Sequence, residues 1–125
     1  MKEVGMADYR LLTDEELEEG LQELSGWEVR DEWLRKTYRT PGWAHSLMLV
    51  NTVGYISEAA YHHPDLEVGY AQVTVKLQTH KVRGLTRLDL ELAKRLEEVL
   101  LWKPEEGAAL EGFPRAWVHG KPTAN

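Results

Sequence analysis

Glu58-Ala59-Ala60-Tyr61-His62-His63-Pro64 decides how this chain is read, because one apolar period gives way to another there. Upstream, Leu49, Val53, Ile56 and Ala60 recur at helical spacing, and Leu47, Val50 and Gly54 make a second face. The spacing predicts a helix over 44–61. Its apolar girth is wide enough to pack on a sheet and to meet a partner chain. Pro64 stops it, since proline donates no backbone hydrogen bond and pushes His63 into extended geometry. Downstream, Val73, Val75 and Leu77 alternate with Thr74, Lys76 and Gln78. That period of two is a strand with one covered face. It lies in a strand region over 67–79, where the approach through Val68 and Tyr70 supplies a further piece or a bulge beside Gly69.

Working outward, Thr13-Asp14-Glu15-Glu16 is a capping box. Leu17, Leu21 and Leu24 follow at helical spacing, and Gly26 is expected to end that helix. Trp27–Arg30 and Trp33–Arg39 read as two strands around a polar turn at Asp31-Glu32, which contains no glycine. Pro41-Gly42 breaks the chain before the central helix. Thr86-Arg87-Leu88-Asp89 is a second capping box. It opens a last helix whose inward stripe is expected to be Leu88, Leu92, Leu96 and Val99, ending near Trp102-Lys103-Pro104. Beyond Pro104 the chain is rich in glycine and proline and reads as a tail. Phe113 and Trp117 are apolar enough to dock it on the body or on a neighbouring subunit. The sum is an α+β domain of order α-β-β-α-β-β-α, a four-stranded antiparallel sheet with helices packed on one face. The expected divisions are an arm over 1–12, the domain over 13–103 and the tail over 104–125.

The chain's 125 residues allow one domain and a modest core. The central helix is interrupted by His45, Asn51 and Gly54, too polar a run to span a membrane. The first residues lack the apolar core of a signal peptide. With no cysteine there are no disulfides and no thiolate metal sites, which fits a cytoplasmic protein. A net charge of −6 disfavours nucleic acid and anionic membrane as partners.

Three of the five histidines, His62, His63 and His80, fall at these breaks. If the helix continues to its expected end, Glu58 and His62 lie four apart on one face, where a carboxylate can hold an imidazole in one tautomer. His80, just after Thr79, ends a strand that can lie beside that helix end. No serine or cysteine is paired as a nucleophile, and there is no glycine-rich phosphate loop. Histidine titrates near neutrality, so the cluster suits acid–base chemistry. A three-histidine zinc site is the competing sharp reading, but adjacent histidines aim both rings at one ion poorly. His45 and His119, taken singly, read as surface or satisfied residues.

The combination Glu58-x-x-x-His62-His63-Pro64, Tyr70, Val73-x-Val75-x-Leu77, Thr79-His80, Gly84-Leu85-Thr86 and Asp89 resembles the signature of the pterin-4a-carbinolamine dehydratases. The resemblance runs from about Thr13 to Leu100. It implies the same element order and dehydration of 4a-hydroxytetrahydropterin to quinonoid dihydropterin, the recycling step behind aromatic amino acid hydroxylation. It also implies no metal or organic cofactor, and assembly as a homodimer or homotetramer. By that similarity His62 and His80 are the acid–base pair and Glu58 orients the imidazole. His63 binds the pterin, with Pro64, Tyr70 and Thr79 beside it. This chain departs from the family at Lys81, where an acidic residue is common. A cation there disfavours protonated His80 unless it turns into solvent. The alternative function is a noncatalytic relative that binds or assembles other proteins. Such relatives tend to lose the histidine pair that this chain keeps.

Overall fold

A computed structural model describes residues 9–112 and 116–120. Its elements are α1 (Asp14–Leu21), β1 (Glu28–Arg30), β2 (Trp33–Arg39), α2 (Trp43–Ala60), β3 (Asp65–Val68), β4 (Gln72–Leu77) and α3 (Arg87–Leu100). The four strands form one antiparallel sheet in the order β1-β2-β4-β3, so the order and fold class read from the sequence hold. In the central pair Leu34 lies opposite Leu77, Lys36 opposite Val75 and Tyr38 opposite Val73. These side chains are buried with Leu49 and Val53 of α2 and Leu92, Ala93, Leu96 and Leu100 of α3. The helices therefore cover one face of the sheet. Trp33, Arg35, Thr37 and Arg39 alternate onto the other.

Both capping boxes form. Thr13 and Glu16 satisfy each other's backbone N–H at the start of α1, and Thr86 and Asp89 do so at the start of α3. Arg10 and the Thr13 N–H both donate to Glu16, pulling its carboxyl down to about 2. Two boundaries differ from expectation. α1 stops at Leu21 and the chain turns through Leu24, while Gly26, at φ 83°, opens the way into β1. On α3, Val99 is 37% exposed, and Leu100 and Ala93 take the inward positions. Residues 92, 96 and 100 keep a strict spacing of four, and 99 falls off that row.

The β1–β2 turn forms without glycine. Asp31 and Glu32 both take positive φ, 53° and 67°, as a two-residue type I′ turn requires. Gln78 Nε2 donates to the Glu32 carbonyl at 3.1 Å and ties this turn to the chain leaving β4.

Among the described residues, Leu12 of the arm and residues 117–119 of the tail lie on the body. Leu12 N donates to Leu85 O at 2.9 Å. Val118 is buried in the core, and Arg39 and His119 exchange both backbone hydrogen bonds, at 2.7 and 3.0 Å. Trp117 packs edge-on to His45, with ring centroids 5.1 Å apart. Phe113, expected to dock alongside Trp117, lies outside the described residues. Beneath the tail, buried Lys36 donates to Ser25 O at 2.7 Å and pairs with Glu97, which also accepts from Trp27 Nε1 at 2.7 Å. Among the described residues no helix is long and apolar enough to cross a membrane.

Candidate active site

The site begins where α2 ends. Tyr61 adopts the left-handed conformation, φ 51° and ψ 44°. Its N–H returns to Glu58 O at 3.1 Å, and His62 N reaches Ser57 O at 3.1 Å. This closes the last turn as a left-handed helix cap does, here without glycine. The pairing expected for Glu58 and His62 does not form, because the helix ends at Ala60 and the reversal at Tyr61 rotates the next two residues off its face. His62 turns to α3, with Nε2 2.7 Å from Asp89 Oδ1. Glu58 instead meets His63, its Oε1 2.8 Å from Nε2. The two contacts sit in different surroundings. The side chains of His62 and Asp89 are 12% and 0% exposed; those of His63 and Glu58 are 51% and 75%.

Asp89 is the hub. Its Oδ2 accepts from Thr79 Oγ1 at 2.8 Å and from Thr86 N at 3.0 Å. Thr79 and Thr86 share a hydroxyl contact of 2.8 Å, and Leu88 N donates to Thr86 Oγ1 at 3.2 Å. These directions fix one another. Thr86, receiving from Leu88, passes its hydroxyl proton to Thr79, which passes its own to Asp89. Asp89 then accepts on every side, so the proton shared with His62 sits on Nε2. In the neutral ring this leaves Nδ1 with the free lone pair. Hydrogen bonds converging on a buried carboxylate hold these side chains in one arrangement.

His80 follows Thr79, so the same network anchors its backbone. The loop closes through Thr79 N to Gly84 O at 2.9 Å, with Arg83 at φ 50°. His80 is exposed, and its ring meets Trp33 edge-to-face, centroids 5.9 Å apart and planes at 67°. Lys81 turns toward the arm, its ammonium 4.9 Å from the Tyr9 ring centroid. An open groove of about 500 Å³ runs between the ends of α2 and α3. Its walls come from Ile56, Ala60, Leu88 and Leu92, with Glu91, Arg95 and His62 also lining it.

Asp89 thus contacts both His62 and Thr79, His80 adjoins Thr79 in the chain, and His63 and Glu58 form a separate exposed pair. Pro64 leads from His63 into β3. Tyr70 is not brought to the histidines. It sits in the β3–β4 turn, where Ser46 Oγ donates to its carbonyl at 2.9 Å. The length of β4, at about 3.3 Å per residue, separates it from Thr79. Asp89 and Trp33 are the residues that sequence reasoning missed as site members. Asp89 was read as part of a capping box and as a residue of the family signature, neither of which gave it a role at the site; Trp33 gave no signal beyond its place in a strand. Among the described residues no three His, Asp or Glu side chains gather as a metal site would require.

Comparison with known proteins places this geometry. The family description "Pterin 4 alpha carbinolamine dehydratase" matches residues 10–99. A provisionally named pterin-4-alpha-carbinolamine dehydratase of Aquifex aeolicus (strain VF5) is 40% identical over 91 residues, covering 73% of this chain and 92% of that protein. One of the same provisional name from Roseiflexus castenholzii is 39% identical over 90 residues, 72% of this chain and 97% of that protein. A crystal structure described as a transcriptional coactivator/pterin dehydratase from Brucella melitensis superposes with a TM-score of 0.67 at 28% identity, covering 70% of this chain and 96% of that one. The chain belongs to the pterin 4 alpha carbinolamine dehydratase family.

Proposed function

We propose that the protein dehydrates 4a-hydroxytetrahydropterin to quinonoid dihydropterin by histidine acid–base catalysis. The observation that carries this reading is the His62–Asp89–Thr79 network, with Asp89 and Thr79 buried, which ends beside His80. One imidazole protonates the 4a-hydroxyl, and the C4a–O bond breaks to release water. The other accepts the N5 proton, and the N–H electron pair becomes the C4a=N5 double bond. The reaction moves no net electrons, so it calls for no redox cofactor. Two positioned histidines suit it, since general acid–base catalysis contributes roughly 10²–10⁴-fold. Asp89 positions His62. His63, with Glu58 on its Nε2, holds the pterin beside Pro64. The assigned role is pterin recycling in the cytoplasm.

A second reading, a noncatalytic protein-binding relative, draws on two observations. The Brucella melitensis structure carries a coactivator description, and α2 exposes Trp43, Leu47, Met48 and Tyr55. Exposed apolar residues clustered on one element mark interaction surfaces. The first occupant we assign to this surface is another copy of the chain, in a symmetric homodimer or homotetramer. Light scattering at micromolar concentration should give a multiple of 14.4 kDa; the monomer mass would refute assembly.

The activity test is purified protein with chemically generated 4a-hydroxytetrahydropterin, with and without chelator. Faster loss of substrate, unchanged by chelator, supports the dehydratase. No acceleration leaves the binding module. Loss of activity with chelator supports a metalloenzyme.

A further inference from the structure

Trp33 stands outside every role assigned so far, yet among the described residues it is the one ring in contact with His80. Among the described residues the His80 imidazole makes no hydrogen bond. His62 is held by a carboxylate; His80 has an indole. We propose that Trp33 is the positioning residue for His80, fixing the orientation of an otherwise free imidazole. The proposal rests on the assignment of His80 as one of the acid–base pair.

Three features make Trp33 a rigid partner. It is the first residue of β2, paired with Arg30 across the two-residue turn. The Lys76 ammonium lies 5.1 Å from its ring centroid, and Lys76 reaches Glu67 at 3.5 Å. The turn that precedes it is tied to Gln78, two residues before His80. The hairpin and the His80 loop are therefore joined at two points, by a hydrogen bond and by a ring contact. An exposed imidazole otherwise samples several rotamers, only some of which aim a nitrogen at substrate. Effective proton transfer needs that nitrogen held within hydrogen-bond reach. An edge-to-face ring contact favours one arrangement by an amount that converts to roughly two- to tenfold in rate.

The test is a double-mutant cycle in the dehydratase assay, with melting temperature measured on every variant. Trp33→Leu should lower kcat by roughly two- to tenfold, the range one ring contact supplies, with KM within about twofold. Trp33→Phe keeps an aromatic edge and should restore most of kcat. In a His80→Ala background, Trp33→Leu should cost nothing further. Ring-proton NMR provides a readout independent of turnover: the His80 signals should shift in Trp33→Leu and stay close to wild type in Trp33→Phe. Full kcat in Trp33→Leu, a raised KM with kcat unchanged, or an undiminished loss in the His80→Ala background would each overturn the proposal. Equal kcat losses in the Leu and Phe variants would also do so. Full activity in His80→Ala alone would instead remove the catalytic assignment on which the proposal stands, whatever the NMR contact shows.

Discussion

His62 and His63 are neighbours in the chain, and each meets a carboxylate at nearly the same distance, 2.7 and 2.8 Å. Their surroundings make them different devices. The His62–Asp89 contact is enclosed, and Asp89 also holds two other donors. The His63–Glu58 contact is open to water on both sides. A charge-assisted contact in a low-dielectric interior is strong and fixes geometry, whereas an exposed pair is screened and contributes between nothing and about 1 kcal/mol. Equal distances therefore do not mean equal work. The enclosed pair holds one tautomer, and the exposed pair leaves His63 open to solvent, as the ligand-binding role proposed for it requires. The reversal at Tyr61 separates them.

The largest effect on this contrast should come from Asp89→Asn. The substitution keeps the shape but turns an all-acceptor group into one that also donates, against His62, Thr79 and the Thr86 N–H. Turnover should fall roughly 10²-fold or more, and chemical denaturation should show a loss of about 2–4 kcal/mol. A variant of wild-type stability and rate would show that the enclosed network is ornamental. His63→Ala should act differently. KM should rise several-fold while kcat stays within about threefold, as for loss of uniform binding. A collapse of kcat with KM unchanged would move His63 into the acid–base pair. Glu58→Gln should be milder still, less than about threefold in KM, and the difference from wild type should shrink as salt is raised. A salt-independent loss would mean that substrate encloses this pair. The smallest effect belongs to Tyr61→Gly. Glycine relieves the left-handed strain but frees the unfolded chain, so stability should stay within about 1 kcal/mol of wild type. A large loss would show that the Tyr61–His63 ring contact, at 5.5 Å, carries more than its exposure implies.

Much of this was legible in the residues, for physical reasons. The capping boxes at Thr13 and Thr86 use local hydrogen bonds that any helix start needs. Val73, Val75 and Leu77 alternate because one face of β4 is covered. What was not legible depended on a single backbone angle or on tertiary proximity. Nothing in Glu58-x-x-x-His62 announces that Tyr61 turns left-handed, so the expected i,i+4 pair was assigned the wrong partner. Asp89 was recognised as a cap, but its second oxygen is used only once α3 packs beside the end of α2. Asp31-Glu32 lacks the glycine that marks a type I′ turn. The tail's pairing with Arg39 has no local pattern, since it joins segments eighty residues apart.

The most direct test of the account is the kcat of His62→Ala beside that of wild type on 4a-hydroxytetrahydropterin, with melting temperature confirming the fold. An acid–base role for His62 predicts a fall of roughly 10²–10⁴-fold. A folded His62→Ala protein that dehydrates the substrate at the wild-type rate would contradict the account.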